Sequence, residues 1–149
     1  MKLFFDTSVL VAAMVANHPK HGLALPWLQC AKGESPFYLA AHTLAELYAV
    51  LTTLPIKPRI SPETAKLLIE QNILALGQPV SLDVAEYLAV VLRMADLGIV
   101  GGAVYDGLIV EAARKVEANY LLTFNVRDFL RVWPEGKEII TDPDSTRPG

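Results

Sequence analysis

Three acidic residues stand alone in apolar sequence, and they are the side chains of this chain best suited to chemistry. Asp6, Glu46 and Asp106 each lie in a long stretch that holds no other Asp, Glu, Lys or Arg. Removing a carboxylate from water costs several kcal/mol unless it is paired or bound to a metal. One shared divalent cation would satisfy all three, because hard cations such as Mg²⁺ prefer carboxylate and water oxygens.

The first of these acids ends a predicted strand. Residues 2–6 are expected to form a buried strand, because three apolar residues precede Asp6 and the polar pair Thr7 and Ser8 follows it. The carboxyl ends of parallel strands open onto the crevice where ligands bind, so Asp6 is placed for chemistry. Asp6 also suits a helix N-cap, but Thr7 or Ser8 can cap instead, which leaves Asp6 for another role.

The other two acids lie on predicted helices. The helix expected at about 41–53 is apolar almost all round and therefore largely buried, and Glu46 lies off its strongest apolar stripe, where it can face a cleft. His42 is interpreted as a helix-start residue, with a contact to Glu46 or to a substrate as the alternative. Asp106 falls near the start of a helix expected at about 104–116, where a helix dipole favours an acid.

The order of predicted elements indicates the fold class. Strands are expected at about 2–6, 37–39, 79–82, 120–123 and 138–141, and helices at about 8–16, 21–32, 41–53, 61–77, 83–97 and 104–116. Strands that alternate with helices predict an α/β fold with a central parallel sheet of about five strands flanked by helices, in three α/β/α layers. The 149 residues fit a single domain, with a mobile tail expected from about residue 142.

Composition excludes several classes of protein. The single cysteine, Cys30, rules out an internal disulfide and a cysteine-rich zinc site. A net charge of -3 argues against a basic sheath around duplex DNA, but it leaves RNA open as a substrate. No apolar run approaches the roughly 20 residues of a spanning helix, and no signal peptide is recognisable, so we expect a cytoplasmic protein without a membrane partner. His18 and His21 are interpreted as solvated loop residues.

Four short segments, in this order and spacing, resemble the PIN-domain family. They are Asp6-Thr7-Ser8 after the first strand, His42-Thr43-Leu44-Ala45-Glu46 on a helix, Gly101-Gly102 with Tyr105-Asp106 at a helix start, and Leu122-Thr123 with Asn125, Asp128 and Phe129. The resemblance spans nearly the whole chain. In size and layout the chain looks most like the VapC-type toxins of bacterial and archaeal toxin-antitoxin pairs.

This resemblance implies an Mg²⁺- or Mn²⁺-dependent endoribonuclease that leaves a 5′-phosphate and a 3′-hydroxyl and is blocked by a protein antitoxin. It implies a metal site made by Asp6, Glu46 and Asp106, with Asp128 as a further acid at the catalytic site. Residues expected to position water or the scissile phosphate are Thr7, Ser8, Thr123 and Asn125. Asn125 stands where family members often carry a fourth acid, so a second metal position and the role of Asp128 stay open.

Other interpretations of the same residues remain. Four scattered bases are interpreted as solvated side chains, with a basic rim around the site as the alternative: Lys57, Arg59, Arg127 and Arg131. A homodimer is expected, with the apolar helical hairpin after Pro55 as one candidate surface. The acid cluster would also suit a catalytically weak module that docks a partner, or a solitary RNA-processing nuclease. A phosphatase of the haloacid-dehalogenase type is disfavoured, because Ser8 stands where such enzymes usually carry a second Asp.

Overall fold

The computed structural model describes residues 1–34, 36–145 and 148. Its sheet has five strands, all parallel, in the order β3-β2-β1-β4-β5, which are Leu3–Phe5 (β1), Phe37–Ala40 (β2), Gly77–Val80 (β3), Tyr120–Leu122 (β4) and Ile140–Thr141 (β5). The α-helices of this part of the chain are Thr7–Met14 (α1), His21–Glu34 (α2), Thr43–Thr53 (α3), Pro62–Ile69 (α4), Val84–Leu97 (α5), Ala103–Lys115 (α6) and Val126–Val132 (α7). The predicted parallel α/β sheet is confirmed.

Helices cover both faces of the sheet. In β1, Leu3 and Phe5 face one apolar core, which α1, α2, α3 and α4 complete, whereas Phe4 faces the other, which α5, α6 and α7 complete. Successive strand residues point to opposite faces, so an unbroken apolar strand is what a sheet buried on both sides requires. The three-layer arrangement follows directly from this burial.

The register of the two central strands sets the position of the first acid. Phe5 pairs with Leu122, and the backbone N–H of Asp6 donates a hydrogen bond of 2.9 Å to the Leu122 carbonyl oxygen. The residues that follow these two strands, Asp6 and Thr123, therefore lie side by side at the carboxyl edge of the sheet.

The third strand begins earlier than the sequence suggested. The helix expected to reach residue 77 is regular only as far as Ile69; a π-helical turn, Glu70–Leu74, follows, and β3 starts at Gly77 rather than at Pro79. A Cβ atom at Gly77 would lie 2.6 Å from the Ile73 carbonyl oxygen and 2.9 Å from the Phe37 ring. The close approach of helix and strand at this glycine is a tertiary contact that the local pattern does not reveal.

Two other segments differ from expectation or extend it. The helix α7 is not among the predicted elements, because its seven residues are too few for a periodic apolar pattern. In the expected tail, Pro143 is buried and its carbonyl oxygen accepts a hydrogen bond of 3.4 Å from Trp27 Nε1. Residues 146, 147 and 149 of that tail lie outside the described residues.

Helix α6 packs closely on α5 at a glycine. A Cβ atom at Gly107 would lie 3.1 Å from Val90 Cγ1 and 3.2 Å from Met94 Cε. Because the adjacent residue is Asp106, this contact fixes how the third acid approaches the sheet. Within the described ranges, no helix is both long and apolar enough to cross a membrane.

Candidate active site

A cleft of about 450 Å³ opens at the carboxyl ends of β1 and β4. Its walls come from the start of α1, from α3, from α6 and from the segment after β4. The three isolated acids, Asp6, Glu46 and Asp106, all line it, and so do Thr7, Ser8 and Asn125. The structure thus brings together acids that are far apart in the sequence.

Asp6 is the buried acid of this cleft, with 5% of its surface exposed. Its Oδ2 atom accepts hydrogen bonds of 2.8 Å from Ser8 Oγ and of 2.8 Å from Thr123 Oγ1. Asp6 occupies the N-cap position of α1 but makes no side-chain capping bond, and Thr7 and Ser8 lie inside the helix. The expectation that Thr7 or Ser8 would cap the helix is therefore wrong, because the Ser8 hydroxyl donates to the carboxylate instead.

Further hydroxyl contacts hold this corner of the sheet together. Thr123 Oγ1 accepts a bond of 3.0 Å from the Asn125 N–H, and Ser8 Oγ lies 3.3 Å from the Phe124 N–H that donates to it. Thr7 Oγ1 donates to Thr43 Oγ1 across 3.2 Å in a buried contact between α1 and α3. Buried polar groups of this kind are stable only when paired, so the network fixes the rotamers around Asp6.

Asp106 carries the clearest electrostatic signature of the site. Burial raises the pKa of its carboxyl to about 6, and repulsion from Asp6, Asp128 and Glu46 acts in the same direction. Arg131 opposes the shift. Three acids are therefore close enough to Asp106 to repel its carboxylate, which is the arrangement that makes an acid cluster gain from binding a cation.

The pKa of Asp6 is raised as well. Burial is the main cause, the hydrogen bonds from Ser8 and Thr123 act against it, and the charge of Glu46 adds to it. Perturbed carboxyl groups that share one cleft are typical of functional sites, because charge burial of this kind destabilises a fold unless something binds there.

Glu46 lines the cleft and also contacts His42 at the start of its own helix. His42 Nε2 lies 3.0 Å from Glu46 Oε1, one turn away, and the side chains are 28% and 44% exposed. These two atoms are buried, and within the described residues neither makes a well-formed hydrogen bond. The contact is an ion pair only when the imidazole is protonated. His42 occupies the N-cap position of α3, so its interpretation as a helix-start residue is confirmed, and the alternative contact with Glu46 is found as well.

The donor set of the cleft suits a hard divalent cation, because it consists of carboxylate, hydroxyl and amide oxygens. Among residues 1–34, 36–145 and 148, however, no three His, Cys, Asp or Glu side chains are grouped closely enough to enclose an ion as they stand. In this arrangement Asp6 Oδ2 accepts hydrogen bonds from Ser8 and Thr123, and Glu46 Oε1 faces His42.

The remaining predicted site residues take different positions. Asp128 lies exposed in the first turn of α7 and acts on Asp106 through its charge rather than by lining the cleft. Thr123 is fully buried behind Asp6. The alternative of a basic rim finds no support in the cleft lining, because its described residues include none of the four bases considered for it, Lys57, Arg59, Arg127 and Arg131.

Sequence reasoning missed the cation and the imidazole that do line the cleft. Lys20 Nζ lies 4.5 Å from the centre of the Phe124 ring, and both residues line the cleft together with His18. His18 Nδ1 accepts the Lys20 N–H at 3.0 Å, and burial lowers the pKa of this imidazole. His18 lies in a loop as interpreted, but it is only partly exposed and lines the cleft. His21 is the first residue of α2 rather than a loop residue, and its Nδ1 lies 2.9 Å from the Ala12 carbonyl oxygen.

The fold and the site together define an α/β domain with an oxygen-rich acidic cleft at the carboxyl edge of its parallel sheet. The sequence model of the PIN domain matches residues 3–132. The chain belongs to the PIN-domain family.

Curated relatives match over most of their length. The chain is 39% identical over 117 residues to Ribonuclease VapC27 of Mycobacterium tuberculosis, covering 78% of this chain and 80% of that protein. It is 34% identical over 122 residues to Ribonuclease VapC40 of the same species, covering 82% and 85%.

Solved structures share the fold at lower identity. FitAcB from Neisseria gonorrhoeae matches with a TM-score of 0.70 and 21% identity over 97% of this chain and 99% of that chain. VapBC2 from Rickettsia felis, bound to a DNA fragment from their promoter, matches with a TM-score of 0.67 and 19% identity over 95% and 98%. At these identities the likeness establishes the fold.

The raised pKa of Asp106 predicts a pH dependence of stability. Its carboxyl titrates near 3.8 in the unfolded chain and at about 6 in the folded one. Between these values the folded state binds more protons, so stability falls as pH rises from about 4 to about 6.5. We expect Asp106→Asn to be more stable than the parent at pH 7 by roughly 1 kcal/mol, a figure reduced from the full shift because the carboxyl is partly exposed.

The measurement is urea unfolding in EDTA at pH 4 and at pH 7. Asp96→Asn is the matched control, because Asp96 is an exposed acid on α5 that does not line the cleft. This variant should differ little from the parent at either pH. An Asp106→Asn variant whose advantage is the same at pH 4 and pH 7 would contradict the assignment.

Proposed function

We propose that this protein is a metal-dependent endoribonuclease that hydrolyses RNA phosphodiester bonds with Mg²⁺ or Mn²⁺. Relatives named as VapC ribonucleases, 39% and 34% identical, support the reaction class. The observation that carries the proposal is the meeting of Asp6, Glu46 and Asp106 in one cleft, where their mutual repulsion and burial raise the pKa of Asp106 to about 6.

In this proposal Asp6 and Asp106 hold the ion, directly or through its water ligands, and Glu46 completes the acid set. Bound Mg²⁺ or Mn²⁺ lowers the pKa of a water ligand and offsets phosphate charge. Glu46 orients the attacking water, whereas Asp128 acts through its charge on Asp106. Mg²⁺ normally keeps several waters, which agrees with acids that surround a space without enclosing it tightly.

Some uncharged residues of the site position Asp6, and others are available to bind the substrate. Thr123 is buried and its hydroxyl donates a hydrogen bond to Asp6, so Thr123 positions the carboxylate. Ser8 does the same from the cleft wall. Asn125 is exposed and lines the cleft, so its amide is available to donate a hydrogen bond to the scissile phosphate. Lys20 also lines the cleft and supplies a positive charge that attracts the phosphate.

Removing either central acid tests the reaction. Asp6→Asn and Asp106→Asn should each lower metal-stimulated cleavage of single-stranded RNA by at least about a hundred-fold, because each deletes a charge that holds the ion. The assay follows a labelled RNA on a denaturing gel with Mg²⁺, with Mn²⁺ and with EDTA. Asp96→Asn should cleave like the parent. Full activity of either cleft variant, or of the parent in EDTA, would refute the proposal.

The metal itself is tested without turnover. An ion that binds only the folded chain stabilises it by about 2.7 kcal/mol at a hundred times its Kd. We expect Mg²⁺ or Mn²⁺ to raise the unfolding midpoint of the parent at pH 7 and to have little effect on Asp106→Asn. Calorimetric titration with each ion, on the parent, Asp106→Asn and Asp96→Asn, gives the affinity. Equal affinity in all three would place the ion elsewhere.

We also propose that the chain is the toxin of a toxin-antitoxin pair, acts in the cytoplasm and is blocked by a protein antitoxin. The named VapC relatives and the shared fold with FitAcB and VapBC2 support this. A catalytically weak binding module would show no metal-dependent turnover. A solitary processing nuclease would have no short neighbouring gene for a partner.

A homodimer is the proposed assembly, and α5 offers the better surface for it. Its outer face carries Val84, Leu88, Val91 and Leu92, which are between 52% and 77% exposed. These positions repeat at helical spacing and form one apolar face that can pack on its own copy about a two-fold axis. The helical hairpin after Pro55 also exposes apolar side chains, but to 40–50% at Leu67, Leu74 and Leu76.

One substitution on each surface separates them. Leu92→Glu on α5 should shift the mass measured by light scattering from twice that of the chain to that of a single chain, because it buries a charge in the interface. Leu74→Glu, on the hairpin, should leave the mass unchanged. The opposite pattern would identify the hairpin as the interface.

A further inference from the structure

A second pocket adjoins the acidic cleft. It has a volume of about 480 Å³ and is lined by residues of α3, α5 and α6, which are His42, Ala45, Glu46, Tyr87, Tyr105 and Leu108. Glu46 and Tyr105 also line the acidic cleft. The acidic cleft and the second pocket therefore share a wall, so one polymeric ligand can occupy both.

Two tyrosines on different helices dominate this second pocket. Tyr87 of α5 is 44% exposed and Tyr105 of α6 is 61% exposed. Burying such rings on folding would normally stabilise the chain, so exposed aromatic side chains that converge on one pocket indicate a binding surface. The tight contact at Gly107 keeps the two helices, and with them the two rings, in a fixed relation.

The charges of the pocket decide which ligand it suits. Apart from the tyrosines, the ionisable side chains among its described lining residues are Glu46 and His42, whose facing atoms are buried against each other. The described residues that line this pocket include Glu46 but no Lys or Arg. The pocket therefore has no Lys or Arg to bind a phosphate, and Glu46 would repel one. An uncharged planar group is the ligand that this surface accepts.

We propose that this tyrosine pocket binds the nucleobase of a nucleotide next to the scissile phosphate, an inference that rests on the proposed ribonuclease activity. Single-stranded RNA is recognised by stacking its bases on aromatic side chains. The phosphate lies in the acidic cleft, where Lys20 and Asn125 are available, and the neighbouring base enters the adjoining pocket. Tyr87 and Tyr105 then contribute to the choice of the bond that is cut.

The test compares Tyr87→Leu with Tyr48→Leu. Tyr48 is exposed to the same 44% but lies on the other side of α3, away from both hollows, so it is a matched control. Tyr87→Phe keeps the ring and should behave like the parent. The substrate is a single-stranded RNA chosen from a random-sequence pool by mapping the parent's cut sites, and abasic nucleotides then replace each of the two residues on either side of the cut.

We expect one abasic position to lower the parent's kcat/KM by roughly ten-fold or more, through KM. Tyr87→Leu should show about the same loss on the intact RNA and no further loss on the abasic one, because the stacking partner is already absent. Tyr48→Leu should retain the full abasic effect. A Tyr87→Leu variant with parental kcat/KM and parental abasic sensitivity would overturn the proposal.

Binding separates this inference from the proposed activity. Fluorescence anisotropy of the same intact and abasic RNAs, in Ca²⁺ and in EDTA, measures base-dependent affinity without turnover. Base-dependent binding through Tyr87 with no cleavage would retain the pocket and reject the nuclease. Metal-dependent cleavage by Tyr87→Leu with parental kcat/KM and parental abasic sensitivity would retain the nuclease and reject the pocket. If Tyr87→Leu differs from the parent only in its oligomer mass, the pocket is assigned to self-association and base binding is rejected.

Discussion

Burying the Asp6 carboxylate among other acids is the constraint on which the rest of the structure depends. The central strand delivers this group to the sheet edge with little access to water, and two hydroxyls stabilise it there. The charges of Glu46 and Asp106 then act against it across the cleft. A fold selected for stability alone would separate these acids, so their proximity is a cost that binding chemistry offsets.

The scaffold divides this task between rigid and peripheral parts. The register of β1 and β4 fixes Asp6 against Thr123, and the contact at Gly107 fixes α6, so two sides of the cleft are set by backbone packing. Glu46 is held differently, through a side-chain contact with His42 on its own helix. Of the three acids, Glu46 is thus the one whose position depends least on the sheet.

The cleft is chemically asymmetric, and this asymmetry gives the proposed substrate a direction. Lys20 over the Phe124 ring lies on one wall, where positive charge and an aromatic face occur together. Tyr105 lies at the junction with the tyrosine pocket. In the proposed function the phosphate takes the first environment and the base takes the second, so the proposal includes one preferred orientation of the RNA strand.

The sequence by itself determined the fold class and the identity of the acids. Unbroken apolar strands between helices indicate a sheet buried on both faces, and an isolated charge in such a stretch stands out because its burial is costly. The boundaries of β3 and the helix α7 were not predictable in this way. The first depends on the fit of Gly77 against Phe37, and the second is too short for a periodic pattern.

Only the tertiary structure decided which side chains share a wall. Lys20 lies over the Phe124 ring, and Tyr87 and Tyr105 line one pocket, because of packing between segments that are distant along the chain or on different helices. Which bases line the cleft was decided in the same way: its described lining includes Lys20 but none of the four bases considered from the sequence, Lys57, Arg59, Arg127 and Arg131. Residue type and spacing report local burial, whereas a pocket is made by contacts between segments, which local sequence does not encode.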